Sequence, residues 1–184
     1  QHPLANVKTH LQPADRWILA RLQTVTEQVT AYLDAYEIHE GIRVAWDFLL
    51  NDVSRWYVKL IRKRVWIEKG APDKIAAYAT LYQVLKTTLI LLAPYIPFIT
   101  EQIYQQMFRP AEPQAKPSVH MLKWPTVEKE WQDSQIESLM DLAREIVSAA
   151  IGARQTARPP IKIRQPLQTL KILTNREDIT QCLE

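Results

Sequence analysis

Apolar side chains recur along this chain at the three- and four-residue spacing of amphipathic helices. Ile18, Leu22, Val25, Val29 and Leu33 form the first series, and Asp15 as N-cap predicts a helix from there to about Tyr36. After a short connection, a second helix is predicted from about Glu40 to Trp66, with Ile42, Leu49, Val53, Trp56 and Leu60 on one side. Gly70, Ala71 and Pro72 break it. Pro72 opens a third helix that turns Ile75, Tyr78, Tyr82, Leu85, Leu89 and Leu92 toward the core. Pro94 stops that helix, and Pro97 starts a shorter fourth one ending near Phe108.

Residues 109–134 carry Pro110, Pro113, Pro117 and Pro125 and predict a long loop, with Ser118–Leu122 extended. Ser134 and Glu137 form a capping-box pattern for a fifth helix, whose apolar side holds Ile136, Leu139, Ala143, Val147, Ala150 and Ile151. It fades before Pro159–Pro160. Residues 161–164 and 167–173 then alternate as strands do, and Asn175 suits the cap of a further helix. The fold class predicted is mainly α: an up-and-down bundle of about five helices over residues 1–157, followed by the start of a small α/β C-terminal extension at 158–184.

Composition narrows the function classes. With 184 residues and 47% hydrophobic side chains, the chain can bury a core. Its 3 glycines, Gly41, Gly70 and Gly152, lie too far apart to form a Gly-rich phosphate loop, which removes a nucleotide-binding βαβ unit. The single cysteine, Cys182, permits no internal disulfide and predicts a reducing, cytoplasmic setting. The 4 histidines are dispersed, so no metal site is predicted. No apolar leader opens the chain, and the most apolar stretch, Leu89–Ile99, is short and interrupted by two prolines, so no membrane span is predicted. The first residue is not Met, and a new element begins after Leu173, just as the chain stops. Both predict a segment of a longer protein.

The net charge of +3 hides an uneven distribution. Residues 53–67 and 146–176 contain no acid and hold eleven of the 23 basic residues, so the rest of the chain is net acidic. On a helix, Arg55, Lys59, Arg62 and Trp66 fall on one stripe, with Lys63 beside it. A positive stripe ending in an aromatic suits a phosphate backbone and a stacked base. It also suits a solvated basic face with its tryptophans in the core. Arg64 is counted with this set, although its place nearer the apolar side also suits a carboxylate inside the bundle. Asp47 and Asp52, just upstream, are expected to pair with the stripe. The second strip, with Arg154, Arg158, Lys162 and Arg164, runs past the helix end, where the macrodipole does not account for it. No motif of nucleophilic, acid–base or metal-assisted catalysis occurs, and no catalytic residue is assigned.

These residues carry a resemblance. Asp15–Leu22 (DRWILARL) resembles the DRWILSRL opening of the anticodon-binding domain of class I aminoacyl-tRNA synthetases. Residues 52–57 and 62–66 are similar to that domain's DLSRWYxxxxRxRxW segment, and 92–104 to its LAPxxPFxxEExY helix junction. These three are shared by the valyl, leucyl and isoleucyl enzymes. Residues 118–125 (SVHMLKWP) and 158–167, ending in IRQPL, resemble the SVHLxxWP and KxRQPL segments of the isoleucyl enzymes. Gln102 stands where the family usually has a second Glu, and Ala20 where it has Ser.

The resemblance implies an anticodon-binding module of an isoleucyl-tRNA synthetase. Its partners would be isoleucine tRNA and a catalytic domain in the same polypeptide, with a valyl or leucyl enzyme, or a purely structural helical module, as alternatives. It implies tRNA contacts at Arg55, Lys59, Arg62, Lys63, Arg64, Trp66, Arg154, Arg158, Lys162, Arg164 and Gln165, the last able to hydrogen-bond a base edge. The HIGH and KMSKS signatures of the ATP site are absent, so this stretch is expected to bind no cofactor and to be inactive alone, ATP and Mg belonging to the full-length enzyme.

Overall fold

The computed structural model describes residue 4 and residues 7–66, 71–158, 160–162, 164–169 and 171–172. The chain divides into two compact units, Gln1–Asp133 and Ser134–Glu184.

The first unit is a helical bundle. Helix α1 spans Pro13–Asp34. Its cap is Gln12 rather than the expected Asp15. Asp15 sits one turn in, where its Oδ2 accepts the backbone N–H of Gln12 at 2.9 Å. Pro13 at the first helical position has no N–H to leave unsatisfied. Trp17, Ile18, Leu22, Val25 and Val29 bury the predicted face.

The second predicted helix is a continuous run of three parts: α2 (Ile38–Asp47), a π-helical segment (Phe48–Tyr57) and α3 (Val58–Val65). The π winding follows from what must be buried. Phe48 and Tyr57 are both fully buried. At about 3.6 residues per turn, the nine-residue step from one to the other would leave them half a turn apart. The wider winding turns Phe48, Asp52, Val53 and Tyr57 inward together. The same change leaves Leu60, expected to face the core, exposed.

Helix α4 (Pro72–Leu92) packs on α1 and α3. It buries Ala76, Ala77, Thr80, Val84, Thr87, Thr88 and Leu91 together with Leu89 and Leu92 of the predicted series, whereas Ile75 and Tyr78 of that series are half exposed. The helix is apolar nearly all round, so periodicity does not select a face; small side chains, which let helix backbones approach, line the contact. By length and composition α4 could cross a membrane, contrary to the expectation from Leu89–Ile99, but half of its most apolar window is buried inside the protein, as in a core helix.

Helix α5 (Pro97–Ile103) continues into a second π segment, Tyr104–Phe108. The long loop after it is tied down at several points. Glu101 Oε2 accepts from Ser118 Oγ (2.8 Å) and Val119 N–H (2.9 Å). Tyr104 Oη donates to the Lys116 carbonyl at 2.8 Å, and Trp124 Nε1 to Thr30 Oγ1 at 2.9 Å. Residues Val119–Met121 form a 3-10 turn instead of the expected extended piece, because Ser118 Oγ accepts the His120 N–H and curls the chain.

The second unit begins with α6 (Ser134–Thr156), as expected. Among the described residues beyond it there is no strand. The described residues 160–162, 164–169 and 171–172 form turns and irregular chain, because a strand needs a neighbour to satisfy its backbone, and Pro160 and Pro166 interrupt the run. The expected helix cap at Asn175 and the basic Arg176 lie outside the described residues.

Candidate nucleic-acid interface

Helix α3 carries the first basic strip. Ile61 is buried, which anchors the helix and sends Lys59, Arg62 and Lys63 into solvent. Arg62, Lys63 and Arg64 in the last turn are favoured there by the negative end of the helix dipole. Trp66 follows as C-cap residue and is 86% exposed. An indole left almost wholly in water offers a flat apolar face at the end of a row of cations. Arg55, at the end of the π segment, is exposed as well. Among the described residues, Arg55, Lys59, Arg62 and Lys63 have no ion-pair partner.

Arg64 belongs elsewhere. Its Nη1 and Nη2 donate to Asp15 Oδ1 and Oδ2 at 2.9 and 2.8 Å, and Nη2 also donates to the Asp73 carbonyl at 3.0 Å. The Asp73 carboxylate lies 2.7 Å from Nη2 as an ion pair. Tyr57 Oη donates to Asp15 Oδ1 at 2.7 Å, and Asp15 is fully buried. Burial first, and the Asp15 carboxylate second, push the Tyr57 hydroxyl far above the ordinary tyrosine range, so it stays a donor. Arg64 thus takes the pairing with carboxylates inside the bundle that its place near the apolar side allowed, and it locks α3 to α1 and α4.

The upstream acids also differ from expectation. Asp52 is buried and pairs with Arg21 (Nε to Oδ2, 3.0 Å) rather than with the stripe. Asp47 accepts from Asn51 Nδ2 at 2.5 Å, and Asn51 Oδ1 in turn accepts from Arg55 Nη1 at 2.9 Å. The sequence reading missed Asn51. Its position four residues after Asp47 and four before Arg55 was the available signal.

The second unit carries the other strip. Arg154 acts as a clamp: its guanidinium donates to the carbonyls of Lys162 and of Gln165, the latter at 2.7 Å. The Ile161 N–H donates to the Arg154 carbonyl at 2.9 Å. A compact turn is thereby fastened to the end of α6. Gln165 Oε1 accepts the Lys162 N–H at 2.8 Å, which leaves its amide –NH2 as the group able to meet a base. Arg158, Lys162 and Arg164 are exposed on this turn.

An apolar groove lined by Trp46, Leu49, Leu92, Ile99, Ile103 and Met107 offers no charged group, and it borders none of the four unpaired cations.

A family model described as the anticodon-binding domain of tRNA ligase matches residues 15–170. The isoleucine–tRNA ligase of Methanocella arvoryzae is 42% identical over 181 residues, covering 98% of this chain and 16% of that protein. That of Methanosarcina mazei is 41% identical over 184 residues, covering 100% of this chain and 17% of that protein. That of Methanothermobacter thermautotrophicus is 44% identical over 170 residues, covering 92% and 16%. The chain spans about a sixth of the length of the curated relatives it matches.

Proposed function

The chain belongs to the anticodon-binding domains of tRNA ligases, and from that premise we propose that it docks on the anticodon stem and loop of an isoleucine tRNA. The observation that carries this is the division of labour on α3. One arginine is paired inside the bundle, while Arg55, Lys59, Arg62 and Lys63 are exposed near an exposed indole and have no ion-pair partner among the described residues. Cations so placed contact phosphates and set the register of the RNA; the few groups that meet base edges supply specificity. Trp66 stacks on or beside a base. Arg158, Lys162 and Arg164 meet the anticodon loop, with the Gln165 amide toward a base edge and Arg154 holding their turn in shape.

In this reading the chain works in the cytoplasm as part of an isoleucine–tRNA ligase. Its task is to place the acceptor end of the tRNA in a catalytic domain of the same polypeptide, where ATP and Mg serve the activation of isoleucine. The identities of the relatives support isoleucine over valine or leucine.

The test is a titration of the chain with isoleucine and valine tRNAs at increasing salt. Four phosphate contacts predict a log–log slope of magnitude about 3. The isoleucine tRNA is expected to bind more tightly. Binding that does not change with salt contradicts the proposal.

A further inference from the structure

We infer that Asn51 is a positioning residue for RNA binding, one that holds Arg55 in place without neutralising it. This rests on the function proposed above and extends it to a side chain outside the basic strip. Asp47, Asn51 and Arg55 follow one another at four-residue steps from the end of α2 into the π segment. Asn51 Nδ2 donates to Asp47 Oδ1 at 2.5 Å, and Arg55 Nη1 donates to Asn51 Oδ1 at 2.9 Å.

The chemistry of the three groups fixes the orientation. An ionised carboxylate only accepts and a guanidinium only donates. The amide must therefore turn its –NH2 to Asp47 and its oxygen to Arg55; the flipped amide would oppose donor to donor and acceptor to acceptor. A neutral amide between the two charges does what a carboxylate at position 51 could not. It spends one of the five N–H donors of Arg55 and leaves its full positive charge for a phosphate. Arg64 shows the contrast: it meets carboxylates directly and is cancelled. Lys59, Arg62 and Lys63 have no side chain holding them among the described residues. Among the described residues Arg55 is thus the cation of the strip already held by a neighbouring side chain before RNA arrives, which lowers the cost of fixing it on binding.

The test compares variants of the 184-residue chain, titrated with an isoleucine tRNA transcript at several salt concentrations. Asn51→Asp forms a direct ion pair with Arg55 and is expected to lower the magnitude of the log–log slope by about 0.7–0.9, as Arg55→Gln does. Asn51→Leu keeps the charge but loses its holder. It is expected to weaken binding about two- to tenfold with the slope unchanged. Asn51→Leu is not expected to weaken binding further in an Arg55→Gln background. Wild-type affinity and slope in both variants would overturn the inference while leaving the RNA-binding function standing. An Asn51→Leu loss that persists in the Arg55→Gln background overturns it too. Salt-independent binding by the wild-type chain overturns both.

Discussion

Arg64 grips Asp15 with two parallel hydrogen bonds of 2.9 and 2.8 Å, joining the end of α3 to the start of α1 in a site where Asp15 is wholly shielded from water. The matched guanidinium and carboxylate form the strong bidentate geometry, and Asp15 also accepts from the Tyr57 hydroxyl. Removing Asp15 leaves the Tyr57 hydroxyl without its acceptor and Arg64 with Asp73 alone. Asp15→Ala is expected to destabilise the chain by about 1–3 kcal/mol in denaturant melts. A loss under 1 kcal/mol would show that the pair is not an anchor.

The same cluster predicts behaviour at alkaline pH. Burial, and then the Asp15 carboxylate, raise the Tyr57 pKa in the folded chain. A group whose folded pKa is raised stabilises the fold below its unfolded value, near 10 for tyrosine, and loses that contribution as pH climbs toward the folded value. Stability is therefore expected to fall above pH ~10, as the unfolded chain alone releases this proton. Tyr57→Phe should flatten that decline and cost about 1.5–3 kcal/mol at neutral pH through the lost hydrogen bond to a charged acceptor.

Gly41 on α2 has no room for a side chain. A Cβ built there lies 2.1 Å from Tyr95 Oη and 3.3 Å from Tyr95 Cζ. Gly→Ala within a helix ordinarily stabilises by roughly 1 kcal/mol. Here the crowding against Tyr95 is expected to reverse the sign, with a net cost of about 1–2 kcal/mol. Adding Tyr95→Phe removes the nearer atom and should recover part of the loss, measured as a double-mutant cycle. Additive effects would exclude the contact.

Much of this arrangement is legible from sequence, for identifiable reasons. The order of the long helices and most of their ends follow from apolar spacing and from Pro72, Pro94 and Pro97, which act locally. The π winding of Phe48–Tyr57 is not local: it exists because Phe48 and Tyr57 must both reach the core. The buried face of α4 is only partly legible, with Leu89 and Leu92 buried but Ile75 and Tyr78 half exposed, because a helix apolar on nearly every side carries little directional pattern. The tail alternates like a strand, yet alternation cannot supply a pairing partner. At the basic strip, charge and spacing point to Arg55, Lys59, Arg62, Lys63 and Trp66. That Arg64 is taken up inside, by Asp15 rather than by the nearby Asp47 or Asp52, depends on contacts between residues 49 apart in sequence.

Trp66 separates stacking from packing. At 86% exposure its indole contributes little to the fold, so Trp66→Ala should change stability by less than about 0.5 kcal/mol. If it stacks on a base, the same change weakens tRNA binding by about 1–3 kcal/mol and leaves the salt slope unaltered. Unchanged affinity would remove Trp66 from the interface.

The central claim is that the cations left unneutralised on α3 hold the phosphates of a tRNA. Its most direct test is the salt dependence of isoleucine-tRNA binding by the Arg62→Glu/Lys63→Glu double variant, beside a melt showing that the fold is intact. The account predicts that the log–log slope drops in magnitude by about 1.4–1.8 for the two lost contacts, with affinity at low salt reduced at least about tenfold. A folded double variant that binds with the affinity and slope of the wild-type chain would contradict it.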